Sequence, residues 1–191
     1  MKIGNYYARV VGQFESSPAD SKLQGKQKIE LTVGDGFFDA LRTYASRHGC
    51  YPSFLPNDKI VKIPKTLEDE GTVYIVCQTG EALFNNLTET EEIILPCTIE
   101  KVCWSFWNCR RLQSIEVEGG GNRYLCSVDG VLFSGDKKIL KAYPNAHGAS
   151  YSVPEGTVEI DSRAFKDCVG LQQLHLPSSL KKNRNQCVLW M

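Results

Sequence analysis

The stretch FWNCRRLQSIEV (residues 106–117) sets apolar side chains at a fixed spacing: Phe106, Cys109, Leu112, Ile115 and Val117. The same frame returns at Phe165, Cys168, Leu171, Leu174 and Leu176. It stands in looser form at Phe84, Leu87, Thr90, Ile93 and Leu95. The copies begin 22 and 59 residues apart. Self-similarity at a period of about 20–50 residues is the signature of stacked repeats, so the rest of the chain is read around this frame.

Two periods meet inside it. Phe, Cys and Leu recur every third residue, as on a short tight turn of helix with one edge inward. The last two apolar positions are two apart, the period of a strand with one buried face. Each copy therefore predicts a helical turn, a bend and a short strand. Stacked copies lay those strands side by side in a parallel ladder and bury a core that no copy could close alone. Cys109 and Cys168 occupy the same rung, where a free thiol acts as a small hydrophobe.

The frame, with Ile99 and Val102 before it and Pro96 or Pro177 after the strand, resembles the BspA-like leucine-rich repeats. A further stretch, YLCSVDGVLF (124–133) followed by LKAYP (140–144), is similar to an insertion of that family, with one extra residue between the Tyr and the Ser. YSVPEGTVEIDSRAF (151–165) resembles its lead-in to a repeat. The resemblance covers roughly residues 84–181. It implies a curved solenoid that binds other macromolecules, often at a cell surface, and brings no catalytic residues.

The chain has 191 residues, 42% of them hydrophobic, enough for one or two globular domains. Its 22 basic and 22 acidic residues balance to zero, which argues against nucleic acid, whose binding wants a clustered positive excess. No apolar run approaches the roughly 20 residues that span a bilayer. The N-terminus, MKIGNYYARVVGQFESS, lacks the long apolar region and small-residue cleavage site of a secretory signal. The eight cysteines form no C-x2-C pair. Reduced thiols in a cytoplasm are the expectation from these features. A cell-surface or secreted position, as in the family, is the alternative if a leader is missing.

Upstream of the repeats, residues 6–14 read as a strand, 15–27 as a polar loop and 29–33 as a second strand. Gly34-Asp35-Gly36 breaks it, and Phe37, Phe38, Leu41, Tyr44, Ala45 and His48 follow at helical spacing. Strands are expected over 60–63 and 73–77. The fold class is thus α+β: a small β-β-α-β-β domain or cap (1–79), a short leucine-rich-repeat solenoid with a parallel ladder (80–182) and an atypical tail (183–191). A β-hairpin is expected across residues 131–140 with Gly135-Asp136 near its tip.

Chemistry is sparse. His48, His147 and His175 fit no metal-ligand spacing, and Gly119-Gly-Gly121 lacks the residues of a phosphate loop. A Cys50–His48 nucleophile pair is the only catalytic arrangement in view, on sequence adjacency alone. The acidic runs 68–70 and 89–92 read as solvated loop or repeat edge. No catalytic residue, cofactor or metal is predicted. What remains is the outward column of the repeat strands: Glu92 and Ile94, Ser114 and Glu116, Gln173 and His175. On the concave face of a solenoid such a column is a binding surface. Trp104 and Trp107, flanking Phe106, are aromatic contacts if they are not packed under the next repeat. The function expected is a non-enzymatic protein- or glycan-binding module. An N-terminal enzyme scaffolded by the repeats and a self-associating assembly subunit are the alternatives.

Overall fold

The structure is a computed structural model, described for residues 2–3, 6–13, 26–32, 55–80, 82–103 and 106–183. Its first strands are β1 (Lys2–Ile3), β2 (Tyr6–Gln13) and β3 (Gln27–Thr32), followed by β4 (Ile60–Lys62), β5 (Thr66–Asp69) and β6 (Thr72–Thr79). One sheet takes the order β1-β2-β3-β6-β5, with β8 (Lys101–Val102) also on β6. The strands expected over 6–14, 29–33 and 73–77 are all present. β5 is a correction: Glu68 and Asp69, read as solvated loop, pair with Val73 and Thr72 of β6. Their turn residues Glu70 and Gly71 both have positive φ, 47° and 76°, the pattern of a two-residue type I′ hairpin. The helix expected over Phe37 to His48, and with it the Cys50–His48 pair, lies outside the described residues.

The repeat strands form parallel ladders. β4, β7 (Glu92–Leu95) and β9 (Ser114–Val117) make one, with Val61, Ile93 and Ile115 in register. β13 (Ser150–Ser152) and β15 (Gln173–His175) make another. The backbone marks equivalent positions. The N–H of Glu91 donates to the carbonyl of Lys59 at 2.8 Å, that of Gln113 to Glu91 at 2.7 Å, and that of Gln172 to Ala149 at 2.7 Å. Strands β4 and β13 are therefore two repeat strands that the frame did not reveal. Cys109 Sγ donates to the carbonyl of Phe84 at 2.9 Å and Cys168 Sγ to that of Tyr143 at 3.6 Å. Tyr143 thus holds the place of a frame Phe.

A device at each turn recurs. Asn86, Asn108 and Asp167 follow a frame Phe by two residues and have φ of 61°, 60° and 62°. Asn and Asp tolerate this left-handed conformation better than other side chains with a Cβ. Asn108 Nδ2 donates to Asn86 Oδ1 at 2.9 Å, tying one turn to the next.

Between the two ladders the chain inserts a tight turn (Glu118–Gly120), with Gly119 and Gly120 at φ of 72° and 81°, and the antiparallel strands β10 (Leu125–Val128), β11 (Val131–Ser134) and β12 (Ile139–Ala142). The β11–β12 hairpin is the expected one. β10–β11, closed by Asp129-Gly130 with φ of 49° and 78°, is a second. β12 then continues in parallel with β14 (Glu159–Ile160) and β16 (Lys182–Asn183). The insertion covers the edge of β9. Ser127 Oγ accepts the N–H of Val117 at 2.8 Å and donates to the carbonyl of Ile115 at 2.9 Å. The N–H of Ile115 donates to the carbonyl of Gly130 at 2.8 Å. Unpaired edges invite association, and a covered edge does not.

The apolar rungs close two clusters. The larger joins Ile29, Leu31 and Val76 of the first sheet to Phe84, Leu87, Ile93, Leu112 and Ile115. The smaller gathers Phe133, Leu140, Tyr143, Ile160, Phe165, Cys168 and Leu171. Thr90, a polar residue at a leucine rung, is fully buried and donates from Oγ1 to the carbonyl of Asp58 at 2.7 Å, so its burial leaves no unmet group. One frame position departs from expectation: Leu176 is 47% exposed, because β15 ends at His175 and nothing described covers the next residue. Among the described residues the chain is mostly strand and turn, with no α-helix, so the helical half of the expected α+β class is not seen in them.

Candidate functional site

Alternation along β7 and β9 puts Ile93, Leu95, Ile115 and Val117 into the core and leaves Glu92, Ile94, Ser114 and Glu116 half-buried on the other face. Parallel register sets Glu92 beside Ser114 and Ile94 beside Glu116, and extends both rows to Ile60 and Lys62 of β4. Neighbouring rungs stand about 4.8 Å apart, so these six side chains form one continuous patch. Ile60, an exposed apolar residue at its edge, was not anticipated.

Gln173 and His175 belong to the other ladder. They are exposed on β15, opposite Ser150 and Ser152 of β13. The single column expected from spacing is thus divided in the strand pairing, with the insertion between its halves.

Charge on the first patch is tied up unevenly. Lys62 Nζ lies 2.8 Å from Glu118 Oε1. Arg111 bridges Glu89 and Glu91, both at 3.0 Å, and Lys59 reaches Glu91 at 3.6 Å. Desolvation raises the Glu116 carboxyl above its ordinary value, and Glu92 and Asp129 add to the rise against the hydrogen bond from Ser127. A carboxylate so placed gains from a positive or hydrogen-bond-donating partner.

Trp107 is 37% exposed on the turn side of its repeat, where it lines a cleft with Phe106 rather than joining the strand face. Phe106 stacks on Phe84 at 5.3 Å. Trp104 lies outside the described residues. His147 packs edge-on against Tyr143 and Tyr151, with Nδ1 2.7 Å from the carbonyl of Gln113. That is a structural role. Burial pushes the thiols of Cys77, Cys109 and Cys168 up to about 12, which makes them poor nucleophiles at neutral pH. Among the described residues no three His, Cys, Asp or Glu side chains gather as metal ligands. No helix there is long and apolar enough to cross a membrane.

Three solved structures are among those the chain is similar to. The chain is similar to a leucine-rich repeat protein from Eubacterium ventriosum (13% identity, TM-score 0.44), covering 82% of this chain and 57% of that one. It is similar to a leucine rich cell surface protein from Faecalibacterium prausnitzii (14%, 0.47), covering 96% and 44%. It is also similar to a leucine-rich repeat protein from Bacteroides ovatus (20%, 0.42), covering 90% and 40%. The chain therefore spans less than two thirds of each of these proteins. No curated protein matches its sequence. The family model for the BspA type Leucine rich repeat region (6 copies) matches residues 74–129 and 140–189, more than half of the chain. With the turn-and-strand frame, its parallel ladders and this match together, the chain belongs to the BspA-type leucine-rich repeat family.

Proposed function

We propose that the chain is a non-enzymatic interaction module that holds a protein or glycan partner against the outward rows of its repeat strands. In this reading residues 80–182 form a short solenoid with those rows on its concave face, and residues 183–191 are its tail. Residues 1–79 are a cap more than a separate domain, since Ile29, Leu31 and Val76 share one core with the repeats. The observation that carries the reading is the register of Glu92, Ile94, Ser114 and Glu116 on one half-buried face beside Ile60 and Lys62. Repeat proteins of this kind generally mediate interactions, and the buried thiols supply no nucleophile. The balanced charge favours a protein or glycan over nucleic acid. Family members are often cell-surface proteins, and we assign this chain to that setting ahead of the cytoplasm.

The test is capture of partners by wild type and by the double variant Glu116→Ala/His175→Ala. A partner lost from the variant, with its circular dichroism unchanged, supports the face. A partner retained by the variant overturns the face and restores the alternative in which the N-terminal segment carries the function. A second reading, self-association, draws on β15, which pairs with β13 alone among the described strands. Light scattering that shows a concentration-dependent oligomer would support it.

A further inference from the structure

The insertion splits more than the strand ladder. On the opposite side of the core, β8 pairs with β6 alone among the described strands, while β12 takes β11 and β14. β8 and β12 are thus not paired with each other, and residues of both stand on one opening. That opening is a cleft of about 630 Å³, within the size range of ligand sites. Val102, Leu125, Leu132 and Ala142 give it an apolar floor, and Phe106, Trp107 and Tyr124 give it aromatic walls. Trp107 and Tyr124 are 37% and 39% exposed.

The charges on its rim are not equally committed. Glu100 is held by Lys28 at 2.7 Å and Asp161 by Lys141 at 3.2 Å. Lys101 and Lys166 both line the cleft and are exposed, and neither has a described carboxylate within ion-pair distance. Asn145 and Asp167 also line the cleft, and each keeps one buried oxygen, Oδ1 and Oδ2, without a hydrogen-bond partner. Asn145 is only 7% exposed. Such atoms call for a donor. Both oxygens are closed to water-sized groups, so a ligand hydroxyl reaches them only when the Asn145 and Asp167 side chains turn toward it.

We infer that this cleft binds an acidic sugar of the uronate or sialate type, either free or at the end of a glycan. The ring's C–H face lies on Trp107 and Tyr124, its carboxylate pairs with Lys101 and Lys166, and its hydroxyls donate toward Asn145 and Asp167. An acidic sugar carries all three features, whereas a neutral sugar lacks the carboxylate and a bare carboxylate lacks both ring face and hydroxyls. The site is distinct from the strand face, on which it does not depend.

The experiment is saturation-transfer NMR followed by calorimetry on the full chain. The probes are digalacturonate, glucuronate and N-acetylneuraminate, with galactose and glucose as uncharged counterparts. The acidic probes are expected to bind about tenfold or more tightly than the uncharged ones and to weaken as salt is raised. Lys101→Met/Lys166→Met and Trp107→Ala should each reduce binding about tenfold without lowering the melting temperature. Glu116→Ala/His175→Ala should leave it unchanged, which separates this site's failure from that of the strand face. Equal binding of charged and uncharged sugars overturns the inference. So does binding that survives the lysine variant or disappears with the strand-face variant. Absence of any transfer also overturns it.

Discussion

At the scale of the residue, Cys109 and Cys168 show how much a rung demands. Each is buried against its neighbours and donates its S–H to the carbonyl of the aromatic residue one repeat earlier. The sequence reading of these positions as packing follows from their repetition. The carbonyl each thiol meets is a property of the stack. Among the described cysteines the half-buried Cys97 and Cys103 are expected to react with iodoacetamide first. Cys77, Cys109 and Cys168 should react only when denaturant opens the core. Peptide mapping after graded alkylation checks this, and early labelling of Cys109 would contradict it. The same burial has a pH consequence. Each of the three thiols rises from an ordinary 9.0 to about 12, and Tyr143 from 10.0 to about 12, all chiefly by desolvation. An acid held protonated by folding loses its proton more readily when unfolded. The unfolded state therefore binds fewer protons above pH 9, and stability falls with rising pH. The contribution is fully present below pH 9 and is lost progressively toward pH 12. Urea midpoints measured from pH 8 to 11 should fall from about pH 9 upward, and less steeply for Cys109→Ala/Cys168→Ala.

At the scale of the element, the edge of β9 is where local sequence and long-range structure meet. Ser127 bridges Val117 and Ile115 through one hydroxyl. Ser127→Ala leaves both backbone groups short of a partner and should cost about 1–3 kcal/mol. Ser127→Thr, which keeps the hydroxyl, should cost less. Chemical denaturation of the two variants compares them directly. The two type I′ hairpins offer a second contrast. Gly71 and Gly130 have nearly the same φ, 76° and 78°, but a Cβ on Gly71 meets open space. A Cβ on Gly130 would come within 3.0 Å of the Ser114 Cβ. Gly71→Ala should cost only the backbone strain, about 1–2 kcal/mol. Gly130→Ala adds the displacement of β9 to that strain and should cost clearly more. Equal losses in urea unfolding would show that β9 yields freely. Of the two hairpins, Asp129-Gly130 carries the sequence signal for such a turn. Glu70-Gly71 does not, because Glu is an unusual first residue there, and only its pairing with β6 reveals it.

At the scale of the molecule, the insertion divides one stack into two cores. The larger cluster unites the first sheet with the repeats through β9, and the smaller lies beyond it. Repeat arrays unfold by parts when the interface between parts is the weaker one. Amides of β13 and β15 should therefore exchange with deuterium before those of β7 and β9. Ile115→Ala, about 2–5 kcal/mol, should accelerate exchange throughout. Phe165→Ala, about 3–5 kcal/mol, should accelerate it mainly in the smaller core, from β10 onward. Uniform exchange in the wild type would show the two cores to be one cooperative unit.

The sequence alone determined the repeat, its family, the inward rungs and the alternation that turns Glu92, Ile94, Ser114 and Glu116 outward. These are local facts, written in periods of three and two that survive in any one copy. It did not reveal β4 and β13 as repeat strands, because both lack the frame's full set of apolar residues. Lys59 and Ala149 show their rank only through the hydrogen bonds they accept. Nor did spacing show that Gln173 and His175 pair in a separate ladder, or that Trp107 faces a cleft with Lys101, Tyr124 and Lys166. Those cleft residues are spread from Lys101 to Lys166. What brings them together is the packing of the insertion, with its strand β12, beside β8 and the turn of the next repeat, and that neighbourhood exists only once the whole stack has closed.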